Sequence, residues 1–250
     1  MTVGIRIKDV VLLTKRVVRA WQRQPLSVFS KLVVHNLKLL LTGQYSTQNA
    51  AFDRSFDRRC MVDTAGTEEL EYLTAEAALK RHGNRYEPVK PNDLRVLVGM
   101  LPTLAIGEFD FVDLGSGKGR ALFVAAEFPF KRCIGVEFAQ ELHEVAVHNI
   151  RSYRSEARRC SDIRSVHADA ATFEFPLHPI VCFVNNPFGE ALIAQMARRF
   201  DESVRSVPRP CFLIYLHANY PRSIDALANW SRLAVGSLGP APYVIWRFDR

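Results

Sequence analysis

Phe111-Val112-Asp113-Leu114-Gly115-Ser116-Gly117-Lys118-Gly119-Arg120 decides the reading of this 250-residue chain. An apolar run ends in an acid, three alternate glycines follow, and Arg120 opens a segment with helical character. In an open α/β sheet, ligands lie outside the carboxyl ends of the strands, where glycine lets the backbone approach closely. The spacing is Gly-x-Gly-x-Gly. A dinucleotide loop instead carries Gly-x-Gly-x-x-Gly and sets a pyrophosphate on the following helix N-terminus. Asp113 argues the same way, because a carboxylate directly before the turn repels a pyrophosphate and attracts an ammonium group.

Two more acids extend the pattern. Glu137 closes the apolar run Ile134-Gly135-Val136-Glu137, where a carboxylate can accept both hydroxyls of a ribose. Asp169, in His167-Ala168-Asp169-Ala170, follows the next apolar stretch and can accept an adenine amino group. Three acids at three successive strand ends match an ammonium, a ribose and an adenine. S-adenosyl-L-methionine presents all three and no phosphate.

Outward from this segment the periodicity alternates between helix and strand. Helices are expected at Leu94–Leu101, Arg120–Glu127, Ala139–Tyr153 and from Glu190 to about Phe200. Strands are expected at Phe109–Leu114, Cys133–Glu137, Ile163–His167, Ile180–Asn185 and Cys211–His217. Leu233–Val235 and Tyr243–Phe248 fit a terminal antiparallel pair. Such alternation implies a mostly parallel, doubly wound sheet with helices on both faces. Ahead of it, residues 44–67 are polar and turn-rich and read as a loop, and Glu68–Arg81 reads as a helix with Leu70, Leu73 and Ala77 inward. The expected organisation is a basic helical extension over 1–43, a linker and cap over the active site from 44 to 91, and a catalytic domain over 92–250.

The run from Phe109 to Ile150 resembles the class I, seven-strand, Rossmann-like methyltransferases that use S-adenosylmethionine, and the likeness extends more loosely over residues 85–217. The resemblance implies that Gly115, Gly117 and Gly119 wrap the methionine moiety, that Asp113 acts on its ammonium, and that Glu137 holds the ribose. The fourth strand ends in Val184-Asn185-Asn186-Pro187-Phe188-Gly189. In that fold this strand end faces the methyl group, and amine-directed members carry Asn or Asp, a variable residue, Pro and an aromatic there. An amine nucleophile needs acceptors for its hydrogens, so that its lone pair lines up with the S–CH₃ bond. The side-chain oxygen of Asn186 and the carbonyl before Pro187 suit that task, and the Phe188 face can stack on a planar group or sit against a cation.

Val-Asn-Asn followed by an aromatic, with Asp-Leu-Gly-Ser-Gly and Gly-Val-Glu, is similar to the non-SET histone lysine methyltransferases and related prokaryotic lysine methyltransferases. Those proteins also carry a tyrosine-containing segment ahead of the glycine loop, where Tyr86-Glu87-Pro88 stands here. The resemblance implies that Tyr86 helps close the site. Pro187 departs from the histone enzymes. The function expected is therefore methyl transfer to a nitrogen, with a protein lysine amine as the leading acceptor and a small-molecule or nucleic-acid amine behind it. Two other classes share parts of the pattern. A nicotinamide-dependent dehydrogenase is opposed by the glycine spacing and by Asp113. A non-catalytic cofactor-binding module would show a blocked pocket at Asn186–Phe188.

Charge is distributed unevenly. Residues 1–42 hold eight basic side chains and one acid, against 33 and 26 in the whole chain, so the entire net charge of +7 lies there. A neutral remainder does not favour nucleic acid as a partner. The leader reads as two amphipathic helices, with stripes at Val10, Leu13, Val17 and Trp21 and at Phe29, Val33, Leu37 and Leu40. Packing on the catalytic domain or on a second subunit is expected, and binding to an anionic membrane surface or an acidic partner is the competing reading. No stretch approaches about 18 uninterrupted apolar residues, so no transmembrane segment is expected. Cys60, Cys133, Cys160, Cys182 and Cys211 form no Cys-x-x-Cys pair and fit buried free thiols of a cytoplasmic protein. The dispersed histidines offer no metal-ligand spacing.

Overall fold

The computed structural model describes residues 47–66, 86–102, 105–185 and 189–249. The extension over 1–43, the expected helix Glu68–Arg81 and the segment Asn186–Phe188 lie outside the described residues. Two compact units divide after Phe52, and the second, Asp53–Arg250, carries the sheet.

In chain order the elements are α1 (Thr47–Cys60), α2 (Pro91–Gly99), β1 (Asp110–Leu114), α3 (Arg120–Ala125), β2 (Arg132–Glu137), α4 (Gln140–Ser152), β3 (Ile163–His167), β4 (Ile180–Asn185), α5 (Glu190–Ser206), β5 (Cys211–Leu216), the single turn α6 (Arg222–Asp225), β6 (Trp230–Leu238) and β7 (Ala241–Phe248). The seven strands run in the order β3-β2-β1-β4-β5-β7-β6. All pairs from β3 to β5 are parallel, and β7 is antiparallel to both β5 and β6.

The central strands are buried along nearly their whole length, as strands covered on both faces must be, and their composition is correspondingly continuous and apolar. Alternation sends Phe111, Phe183 and Ile214 to one face, with Leu94 and Leu97 of α2 and Phe123 of α3. It sends Val112, Val184 and Tyr215 to the other face, with Met196 and Phe200 of α5. The chain leaves β1 for β2 and β3 on one side and returns to β4 on the other. The carboxyl ends of β1 and β4 therefore border the crevice where a doubly wound sheet binds its ligand.

The expected strands all form. One segment differs: Thr47–Cys60 is a helix, not a loop. Its polar residues fall on an exposed face, with Arg54, Arg58 and Arg59 outward, while Phe56, Asp57 and Cys60 are buried one turn apart. Composition hid that stripe because one of its members is an acid. Helix α5 continues past Phe200 to Ser206 because Val204 extends its buried stripe. Strand β6 is longer than Leu233–Val235 because Arg, Ser and Gly alternate along an outer strand with one open side.

Candidate active site

The glycine turn is laced to β2 by its own backbone. Gly115 and Ser116 N–H donate to the Val136 carbonyl at 2.9 and 3.0 Å. Gly117 N–H donates to Glu137 Oε2 at 2.7 Å. Gly115, Gly117 and Gly119 have φ of +80°, +54° and +88°, left-handed values that a side chain strains. Space matters as well. A Cβ on Gly135 would meet Ser116 Oγ at 2.6 Å and Leu122 Cδ1 at 2.8 Å, so β2 approaches the loop closely only because residue 135 is glycine.

Two carboxylates stand beneath this loop, each 3% exposed. Glu137 is held by the N–H groups of Gly117 and, at 2.8 Å, Ala139. Burial raises its pKa against the pull of those bonds. Burial, and then repulsion from Glu137, push the Asp113 carboxyl up to about 8. A buried acid whose charged neighbour is another acid is poorly placed for phosphate and well placed for an ammonium. The left-handed turn, Asp113 and Glu137 thus fit the methionine end and ribose of S-adenosylmethionine. Asp169, half-buried beyond β3, accepts the Ala171 N–H through Oδ1 at 2.8 Å.

A second layer was invisible in the sequence. Arg120, 1% exposed, extends from the first turn of α3 to Thr64 Oγ1 at 2.7 Å and Asp57 Oδ1 at 3.2 Å, over the ring of Phe56. Asp57 also accepts the Thr64 hydroxyl at 2.6 Å and the N–H groups of Thr64 and Ala65 at 2.8 and 2.7 Å. Asn149 of α4 clasps Asp63 through its N–H and carbonyl, while its amide also donates to the Lys118 carbonyl at 3.0 Å. Residues 57–65 are thereby fastened to the glycine loop. Tyr86 joins this layer, as its hydroxyl donates to the Thr64 carbonyl at 2.7 Å and its ring fills the space a Gly117 side chain would need. The structure thus brings Tyr86 to the cofactor loop, with Lys118 Nζ 5.5 Å above its ring.

Across the crevice, Asn185 ends β4 opposite Leu216 of β5. Its Nδ2 donates to the Glu87 carbonyl at 3.4 Å, and its Oδ1 is buried with no hydrogen-bond partner among the described residues. The Tyr86–Pro88 segment therefore reaches both the glycine loop and the end of β4. Asn186, Pro187 and Phe188 follow directly but lie outside the described residues. Just past β5, His217 adopts φ +54°, a conformation that costs a non-glycine residue on the order of 1 kcal/mol or more. Among the described residues, no cluster of three or more His, Cys, Asp or Glu can hold a metal ion. All five cysteines are buried free thiols.

The model of the family described as "Histone methylation protein DOT1" matches residues 95–202. No curated protein matches the chain. Among solved structures, a ribosomal protein L11 methylase from Lactobacillus delbrueckii subsp. bulgaricus is similar over 66% of this chain and 81% of its own, at 12% identity and a TM-score of 0.49. An RNA methyltransferase from Salinibacter ruber, in complex with S-adenosyl-L-homocysteine, is similar over 66% of this chain and 95% of its own, at 14% identity and a TM-score of 0.45. TrmN from Thermus thermophilus is similar over 64% and 48%, at 16% identity and a TM-score of 0.46. The family match covers the glycine loop and the ends of β1, β2, β3 and β4, the same residues whose geometry fits the cofactor. Over residues 95–202 the chain is similar to that family, and the seven-strand sheet has the methyltransferase fold, which supports an enzyme that uses S-adenosyl-L-methionine.

Proposed function

We propose that this methyltransferase acts on a nitrogen, with the side-chain amine of a protein lysine as the leading acceptor. The observation that carries the reading is the Asn185 carbonyl oxygen, buried and unpartnered at the end of β4. An acceptor atom kept out of water without a donor costs about 1–3 kcal/mol, and an amine N–H arriving at the crevice satisfies it. The description of the matched family, a histone methylation protein, supports a protein acceptor.

Bound S-adenosylmethionine supplies an activated methyl group for in-line displacement. The protein contributes placement. Asn185, and in the proposal Asn186 and the carbonyl before Pro187, accept amine hydrogens so that the lone pair faces the methyl. Phe188 supplies an apolar wall and Tyr86 closes the cofactor side. A lysine must first lose a proton, and a water-poor crevice lowers its pKa.

The test is incubation with S-adenosylmethionine labelled in the methyl group and a fractionated cell extract. Label recovered as Nε-methyllysine after acid hydrolysis supports the reading. Label found only on oxygen or carbon overturns it. Label in nucleic acid or small-molecule amines would keep the nitrogen and refute the lysine.

A further inference from the structure

We propose that His167 is a positioning residue for the cofactor, fixing the peptide plane that aims the Glu137 carboxylate; the inference rests on Glu137 holding the ribose. Pairing of β2 with β3 sets Glu137 and His167 side by side, each the last residue of its strand. Between Glu137 and α4 the chain has only Phe138 and Ala139 in which to turn, and every carbonyl from Glu137 to Ala139 is taken. That of Glu137 accepts the Ala168 N–H at 3.1 Å, and that of Ala139 accepts the His143 N–H at 3.0 Å. The middle one, of Phe138, is met by a side chain, with His167 Nε2 at 2.9 Å. A carbonyl oxygen only accepts, so this ring nitrogen carries the hydrogen.

The Phe138 carbonyl and the Ala139 N–H are opposite edges of one planar peptide. Its N–H donates to Glu137 Oε1 at 2.8 Å. His167 therefore grips the oxygen edge of the plane whose hydrogen edge grips the carboxylate. Rotating that plane would withdraw the Ala139 N–H and weaken the hold on Glu137, whose other oxygen is tied to the Gly117 N–H at 2.7 Å. The aim of the carboxylate, and with it the contact to the ribose hydroxyls, would loosen.

The imidazole is itself held in place. The ring of His143, in the first turn of α4, stacks on it with centroids 5.5 Å apart and planes 23° from parallel. His143 Nδ1 lies 2.8 Å from Ser165 Oγ, two residues before His167 and so on the same face of β3. The outer strand of the sheet is β3, and this pair of rings ties its end to both β2 and α4.

Calorimetry on the full chain with two ligands, S-adenosylhomocysteine and its 2′,3′-dideoxy analogue, tests the route through the ribose. The wild-type protein should bind the analogue more weakly, since both hydroxyls are missing. His167→Ala should weaken S-adenosylhomocysteine binding about fivefold, the worth of one net hydrogen bond, and change affinity for the analogue less than about twofold. His167→Gln carries an amide N–H able to reach the same carbonyl, and it should recover most of the loss. His143→Ala removes only the ring behind the imidazole and should cost less than His167→Ala. Wild-type affinity for S-adenosylhomocysteine in His167→Ala would overturn the role of His167. So would an equal loss for both ligands, which marks a general effect on the fold, or a Gln variant no better than Ala. A wild-type protein that binds the two ligands equally would overturn the ribose role of Glu137, and this inference with it.

Discussion

On one side of the crevice, seven consecutive residues, Asp113–Gly119, together with Glu137 on the adjacent strand, form the cradle proposed for the cofactor. On the other side, proposed for the acceptor, Asn185 meets a backbone carbonyl 98 positions away. The cofactor half relies on backbone dihedrals and buried carboxylates within a short stretch of chain. The acceptor half is an assembly of strand ends and a crossing segment. A ligand that is always the same can be recognised by a contiguous loop. A variable acceptor is met by residues whose relation exists only after folding.

The layer formed by Asp57, Thr64 and Arg120 belongs to the cofactor half, and breaking it should have the largest effect. Asp57→Ala removes the carboxylate that Arg120, the Thr64 hydroxyl and the N–H groups of Thr64 and Ala65 share, and the expected loss of stability is about 3–5 kcal/mol, read by urea denaturation. Replacing both Asp57 and Arg120 with leucine should recover part of that loss, since the buried ion pair is then replaced as a unit. A loss below about 1 kcal/mol would show that residues 57–65 are only loosely attached to the glycine loop.

Asp113→Ala should weaken S-adenosylhomocysteine binding about a hundredfold, through loss of a buried charge-assisted contact. Asp113→Asn sharpens the point through pH. The folded-state pKa of Asp113 is raised to about 8, so the ligand-free fold holds a proton that the unfolded chain releases near pH 4. Stability from this group is therefore lost as pH rises from about 4 to about 8, and Asn should flatten that decline while still impairing binding. An unchanged pH–stability curve in Asp113→Asn would show that the acid is not buried as described.

The acceptor half should respond in turnover alone. Asn185→Ala and Asn186→Ala are each expected to lower the methyl-transfer rate about tenfold while S-adenosylhomocysteine affinity changes less than about twofold, because the lost interaction is made only with the aligned amine. Poor cofactor binding with normal turnover at saturation would instead assign the segment to the cofactor half.

The same division explains what the sequence revealed. Asp113, Glu137 and the three glycines were legible because their chemistry is local: an acid at a strand end, then a turn that only glycine adopts without strain. The sheet was legible because buried parallel strands are continuous apolar runs. Helix α1 was misread as loop because its buried stripe includes Asp57, whose partners Thr64 and Arg120 lie 7 and 63 residues on. Asn149 was passed over as one polar residue on an amphipathic helix. Asn185 stands in a legible motif, but its unpartnered oxygen becomes evident only once Glu87 occupies the amide nitrogen. Nothing in the primary structure marks His167 as a partner of the Phe138 carbonyl, since that contact exists only once β3 pairs with β2.

Buried strand-end carboxylates should select a phosphate-free cofactor bearing an ammonium group. Titration calorimetry of S-adenosylhomocysteine and NAD at pH 7, repeated in buffers of different ionisation enthalpy, tests it directly. Binding of S-adenosylhomocysteine should be accompanied by net release of protons, as the incoming ammonium favours ionised Asp113, and NAD should not bind. Equal affinity for NAD, or S-adenosylhomocysteine binding with no proton released, would show that these carboxylates do not select the cofactor.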